Sequence, residues 1–219
     1  MRTRFETISL LTDPGLIAVV RTEQTGQVMP VCEALLAGGV QAVEITMTVP
    51  NALAALREAE GRFGKHAAIG MGTVLSAEMA RAAVQAGAQF VVSPVTKVEI
   101  VDAAHALDRP VMLGAYTPTE AQLAWEAGAD FIKLFPADDL GPGYIKALQA
   151  PLPHLRIVPT GGVNIETAAA FLNAGCAALG VGSALVSEQI LRDANWAELT
   201  RLTKAFVELI RSVRENKQP

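Results

Sequence analysis

Short, near-continuous apolar runs recur along this chain. Between them lie longer segments in which apolar residues return every three or four positions. The runs fall at residues 16–20, 42–47, 67–71, 90–93, 110–114, 131–135, 155–159 and 177–181, and are rich in Val, Ile, Leu, Ala and Gly. A run of this kind, apolar on both sides of the pleat, is the pattern of a parallel strand covered on both faces. The intervening segments carry the helical period. Several open on capping residues: Ser76 ahead of Glu78, Thr117-Pro118-Thr119-Glu120, and Asn164 ahead of Ile165-Glu166. Eight strands alternating with eight helices is the count of an α/β chain closed as a (β/α)8 TIM barrel. A doubly wound sheet needs fewer strands. The pattern predicts one TIM-barrel domain over residues 1–219, with the barrel from about 16 to 185. An amphipathic helix is expected over about 196–213, where Leu199, Leu202, Phe206, Leu209, Ile210 and Val213 share a face. Such a helix covers the barrel or meets another subunit. The tail from Arg214 to Pro219 reads as loose.

An internal repeat supports eight units. Gly39, Gly87, Gly128 and Gly175 each stand between a helical segment and an apolar run, at spacings of 48, 41 and 47. Each can supply the left-handed residue that ends a helix. Two strand–helix units per period, over four periods, make eight.

Aligning the repeat exposes two charges inside predicted strands. Five residues after Gly39 stands Glu44, and five after Gly128 stands Lys133; the matching positions elsewhere are Val92 and Gly180. Side chains alternate along a strand, so equal offsets predict the same face. Glu44 and Lys133 would then face each other from the second and sixth strands. Buried charges are costly unless paired or functional. One reading is a structural ion pair across the barrel. The other is chemical. Lys133 alone among six lysines falls in a predicted strand; Lys65, Lys97, Lys146, Lys204 and Lys217 fall in loops, helices or the tail. Among Phe131, Ile132, Leu134 and Phe135 the ammonium loses its hydration, which favours the neutral amine that attacks a carbonyl. Glu44 could move protons beside it, directly or through a water. Both lie toward strand C-terminal ends, where barrel active sites are built.

Composition narrows the chemistry. The chain has 219 residues, 51% hydrophobic and 5% aromatic, enough for one sizeable core of small aliphatic residues. Three histidines (His66, His105, His154) and two cysteines (Cys32, Cys176) offer no close ligand pairs, so a metal site is not expected. His66 and His105 read as solvated, His154 precedes a strand, and Trp125 and Trp196 read as packing residues in helices. A net charge of −4 without a basic run argues against nucleic acid. No apolar run has transmembrane length and no targeting segment is apparent, so a soluble, cytoplasmic protein is expected.

Glycine-rich strand ends suggest an anion site. Pro159-Thr160-Gly161-Gly162-Val163 follows the seventh run, and Gly180-Val181-Gly182-Ser183 ends the eighth. The loops after strands seven and eight form the usual phosphate cup of a TIM barrel; the alternative is tight turns alone. Thr73, in Gly70-Met71-Gly72-Thr73-Val74, could donate to a substrate oxygen or cap the next helix. Arg21, just past the first strand, suits a carboxylate or phosphate, or a salt bridge at the barrel mouth.

Together these residues resemble the short class I aldolases that cleave 2-keto-3-deoxy-6-phosphogluconate and its galactonate epimer. The resemblance runs from about Ile17 to Ser183. Its landmarks are Val43-Glu44-Ile45-Thr46, Gly70-Met71-Gly72-Thr73-Val74-Leu75, Val92-Ser93-Pro94, Thr117-Pro118-Thr119-Glu120, Ile132-Lys133-Leu134-Phe135-Pro136-Ala137, Pro159-Thr160-Gly161-Gly162-Val163 and Gly182-Ser183. The resemblance implies a trimeric TIM barrel acting without a cofactor on a phosphorylated 2-keto acid and releasing pyruvate. Lys133 matches the Schiff-base lysine and Glu44 the proton-transferring carboxylate. Thr73 matches the threonine beside the pyruvate-derived carboxylate. Gly161, Gly162 and Ser183 match phosphate-side positions, and Pro94, Phe135, Thr160 and Gly182 stand within the matching motifs. Where the phosphogluconate branch carries an arginine four residues after the glutamate, this chain has Thr48. Arg21 resembles the first-strand arginine of the phosphogalactonate branch, as do Pro50 and Gly141-Pro142-Gly143-Tyr144-Ile145-Lys146. The Pro159-Thr160-Gly161-Gly162 segment is closer to the gluconate branch. The resemblance leaves the epimer open, and 4-hydroxy-2-oxoglutarate is a further substrate in the family. On residues alone, a phosphosugar epimerase or isomerase and a non-catalytic sugar-acid-binding trimer remain alternatives.

Overall fold

A computed structural model describes residues 2–216. Its strands are β1 Leu16–Val20, β2 Ala42–Thr46, β3 Ala68–Gly72, β4 Val91–Val92, β5 Val111–Ala115, β6 Phe131–Leu134, β7 Ile157–Pro159 and β8 Leu179–Val181. All are parallel, in the order β7-β6-β5-β4-β3-β2-β1-β8. A bridge between Thr160 and Gly180 joins the two ends of that row and closes the ring. The helices are α1 Arg4–Thr12, α2 Val28–Ala37, α3 Ala52–Phe63, α4 Ala77–Gln85, α5 Glu99–His105, α6 Pro118–Glu126, α7 Gly141–Gln149, α8 Ala168–Asn173, α9 Glu188–Asp193 and α10 Trp196–Glu215. The result is a (β/α)8 TIM barrel.

Several strands are a residue or two shorter than their apolar runs. Strand β4 is the extreme, yet ladder bonding continues on either side of it. Met71 donates to Phe90 O, and Ser93 donates to Met112 O. Each repeat glycine ends its helix in the left-handed region, with φ of 92° at Gly39, 109° at Gly87, 92° at Gly128 and 102° at Gly175. Ser76 accepts from Met79 N, and Thr117 and Glu120 form a reciprocal capping box. Asn164 accepts from Glu166 N and Thr167 N in the turn that leads into α8.

Two apolar layers result. Between strands and helices lies the larger one, of Val, Ile, Leu and Ala. Inside the ring, Ile17, Ala42, Ala68, Phe90, Val92, Met112, Phe131, Val158 and Ala178 pack together with Leu11 of α1. Helix α1 therefore closes the N-terminal end of the barrel. Its nine residues carry only Ile8, Leu10 and Leu11 as apolar residues on the packed side, beside buried Thr7, a signal too short to stand out in the sequence. It is pinned by Arg4, whose guanidinium meets Asp130 Oδ1 at 2.7 Å. Asp130 also contacts His105 Nε2 at 3.0 Å and accepts from Val111 N at 2.8 Å. Burial raises the energy of the Asp130 charge, but the hydrogen bonds from His105 and Arg4 outweigh it and hold the carboxyl below its ordinary range. His105 is thus a hydrogen-bond partner of Asp130 at the barrel floor, not the solvated side chain expected; His66 is exposed, and the ring of exposed His154 lies tilted against that of Trp125, centroids 5.1 Å apart.

The C-terminal helix covers the barrel. Leu199, Phe206, Val207 and Ile210 of α10 are buried, and α10 packs on α2 and α8. The expected loose tail needs correction as well. Arg214 lies within α10, and its guanidinium donates to Thr12 O and Ala177 O, tying the helix to the barrel floor. Residues 217–219 of that tail lie outside the described residues.

Candidate active site

One layer above the apolar floor the interior changes character. Glu44 is two residues beyond Ala42 on β2, and Lys133 two beyond Phe131 on β6. Both point inward by the alternation of a strand. Lys133 Nζ lies 3.5 Å from Glu44 Oε1, with side-chain exposures of 6% and 3%. The pair spans the ring, as an ion pair looser than a strong hydrogen bond. The Phe135 ring lies 5.3 Å from the same Nζ. The four other described lysines, Lys65, Lys97, Lys146 and Lys204, are exposed.

Glycine makes room around the pair. A Cβ on Gly72 would collide with the Glu44 carboxylate. One on Gly114, the register partner of Lys133, would collide with the Pro94 carbonyl, so Pro94 closes directly over β5. One on Gly180 would strike Thr160 Oγ1, where β7 and β8 meet. These close approaches were not read from the sequence. Two glycines at a spacing of two, Gly70 and Gly72, are the signal that could have found the first.

The remaining sequence-expected residues gather at the C-terminal ends of the strands. Thr73 follows β3 with φ of +58°, a conformation that β-branched residues avoid because of steric crowding. Ser76 caps α4, which removes the capping alternative for Thr73. Arg21 follows β1, is exposed, and has no ion pair or hydrogen bond among the described residues, so the expected alternative of a salt bridge is not realised. Thr160, 7% exposed, ends the β7 ladder. Gly161 and Gly162 follow with φ of 93° and 66°. Their backbone N–H groups meet no acceptor among the described residues, as a concave anion site requires. Gly182 and Ser183 follow β8 alongside. The Asp138 side chain fills the space that a Cβ on either glycine of the β7 loop would need, which sets a carboxylate beside the loop.

Sequence reasoning missed one polar group in the inward row. Thr46, two residues beyond Glu44, is 1% exposed, and its hydroxyl donates to Val20 O at 3.2 Å. Thr48 Oγ1 lies 2.8 Å from Thr46 Oγ1. The alternation that singled out Glu44 places Thr46 as well, but a neutral residue did not draw the same notice.

Comparison with known proteins places this geometry. A family model described as "Aldolase: KDPG and KHG aldolase" matches residues 7–202. A 2-dehydro-3-deoxy-phosphogluconate aldolase of Pseudomonas aeruginosa is 33% identical over 205 residues, 91% of each chain. A 2-dehydro-3-deoxy-6-phosphogalactonate aldolase of Escherichia coli K12 is 35% identical over 198 residues, covering 89% of this chain and 96% of that one. Among solved structures, a KDPG aldolase from Legionella pneumophila with pyruvate captured as a covalent carbinolamine superposes with a TM-score of 0.82. It is 28% identical, over 91% of this chain and 97% of that one.

Proposed function

The chain belongs to the KDPG and KHG aldolase family and is an aldolase, a lyase, in which we propose that Lys133 forms the Schiff base and Glu44 moves the protons. The observation that carries the proposal is the 3.5 Å pairing of the lysine inside the barrel with a carboxylate. The substrate class is a 2-keto-3-deoxy-6-phospho sugar acid of gluconate or galactonate type, with 4-hydroxy-2-oxoglutarate as a shorter alternative.

The Lys133 amine attacks the C2 carbonyl, and the carbinolamine loses water to give an iminium. Glu44, through a water, takes the proton of the C4 hydroxyl. The C3–C4 electron pair flows into the iminium as the bond breaks. Glyceraldehyde 3-phosphate leaves, and an enamine remains on Lys133. Glu44 returns a proton to C3, and hydrolysis of the resulting iminium releases pyruvate and the free lysine. In this reading Arg21 and Thr73 hold the carboxylate end. Gly161, Gly162, Gly182 and Ser183 hold the phosphate, with Pro94, Phe135 and Thr160 lining the path between.

A homotrimer in the cytoplasm belongs to the same proposal. Supporting it, Leu75, Val95, Val98 and Leu123 are exposed apolar residues on the β3–α6 side of the barrel, a surface that a second copy would cover. Light scattering of Leu123→Glu against the parent chain tests that contact. Among the described residues no helix is long and apolar enough to cross a membrane.

The deciding experiment is borohydride reduction in the presence of pyruvate, with EDTA added. Mass spectrometry of the digest is expected to find a three-carbon adduct on Lys133. Turnover with an unmodified lysine would point instead to acid–base isomerase chemistry on the same barrel.

A further inference from the structure

The two threonines after Glu44 have their protons ordered by the backbone. Val20 O can only accept, so the Thr46 hydroxyl spends its proton there, at 3.2 Å. The 2.8 Å contact between Thr46 Oγ1 and Thr48 Oγ1 must then be donated by Thr48. Both hydroxyl protons are committed toward the barrel wall. What Thr48 has left for its surroundings is lone pairs, and its side chain is exposed at the end of β2.

An acceptor of this kind suits a cation and not a carboxylate. The strand register brings the cation Arg21 to this end of β2. Register pairs Val20 with Ile45, and one step further sets Arg21 opposite Thr46. Arg21 continues the inward row of Ile17 and Val19, as Thr46 continues that of Ala42 and Glu44. Neighbouring parallel strands lie about 5 Å apart. The guanidinium is exposed and meets no acceptor among the described residues. Its five donors exceed what a carboxylate can use, leaving some for a fixed acceptor beside the mouth.

We infer that Thr48, proton-ordered by Thr46 and Val20, is a positioning residue for Arg21, holding the guanidinium across the top of β2 when a substrate carboxylate is bound. The inference rests on the proposed function, in which Arg21 takes that carboxylate. It explains how the chain manages with a threonine four residues after Glu44: Thr48 steers an arginine supplied by β1.

A double-mutant cycle tests it, with KM and kcat measured on 2-keto-3-deoxy-6-phosphogluconate and its galactonate epimer. Thr48→Val removes the hydroxyl at nearly constant volume and is expected to raise KM about tenfold, the scale of one hydrogen bond to a charged group, while kcat changes little. Thr48→Ser is expected to restore the parent KM. In an Arg21→Met background, Thr48→Val is expected to add nothing. Multiplying effects of the two substitutions, an unchanged KM in Thr48→Val, or failure of the serine to rescue would each overturn the inference. Borohydride trapping of pyruvate on each variant keeps the two levels apart. Loss of trapping in the parent chain removes the underlying function, whereas additive effects in trapping-competent variants remove only the role of Thr48.

Discussion

The Glu44 carboxylate occupies the space that a side chain on Gly72 would fill. The two residues sit on adjacent strands, with Thr46 the register partner of Gly72. At Gly72 the inward face of β3 is therefore left bare, which gives the β2 acid its room. Gly72→Ala is expected to push the carboxylate away from Lys133 and cut kcat by about a hundredfold, the cost of an ångström-scale misplacement. Circular dichroism would establish that the variant still folds, and pyruvate release would measure the loss. Unchanged kcat in a folded Gly72→Ala would remove Glu44 from proton transfer.

Lys133→Ala is expected to abolish both turnover and borohydride adduct formation, since no other described lysine is buried. Glu44→Gln keeps the shape but cannot take a proton. It is expected to slow turnover by about a hundredfold while adduct formation with pyruvate persists. Equal loss of trapping in both variants would show that Glu44 is needed to form the Schiff base itself.

Asp138 stands against the Gly161–Gly162 loop. If the loop amides hold the substrate phosphate, as proposed, a carboxylate there would oppose it. Asp138→Asn is expected to lower KM for a 6-phosphorylated substrate several-fold, an effect on the scale of a screened like-charge contact. KM for 4-hydroxy-2-oxoglutarate is expected to stay unchanged. Equal shifts for both substrates in steady-state assays would place the phosphate elsewhere.

At the barrel floor, Asp130 joins Arg4 of α1 to His105 of α5. Its carboxyl is held below the ordinary value of 3.8 in the folded chain. A carboxyl depressed on folding stabilises the fold above its unfolded pKa. That stability disappears as pH falls through the folded pKa. Thermal melts are therefore expected to show a Tm that declines in acid, from about pH 4 downward. Asp130→Asn is expected to lose about 2 kcal/mol at neutral pH and to show a shallower acid decline. A parallel decline in the two proteins would exclude Asp130 as its source.

The barrel was legible because its two periods are regular. Eight apolar runs gave eight strands, and the repeat glycines marked four helix ends by their left-handed backbone. Glu44 and Lys133 stood out because each is a charge in an otherwise apolar row, and the fold brings them to 3.5 Å. What escaped was information that sequence spacing does not carry. Helix α1 shows no strong face, and its place under the barrel depends on Asp130, more than a hundred residues away. The Thr46–Thr48–Val20 chain depends on which atoms can donate, and that is decided by a carbonyl on a neighbouring strand. The tail was misjudged because Arg214 looks like a solvated end until its two carbonyl partners are in place.

Helix α1, with Leu11 set into the ring of interior residues, makes the barrel a blind well. Everything that reaches Lys133 must come and go by the same opening. A bound sugar acid would then lie with its keto carbon deepest and its phosphate outermost. After cleavage the outer fragment stands between the inner one and the exit. With Lys133 as the Schiff-base lysine, as proposed, the well would impose the order of departure: the aldehyde phosphate would leave first, and pyruvate, still tethered below, could only follow.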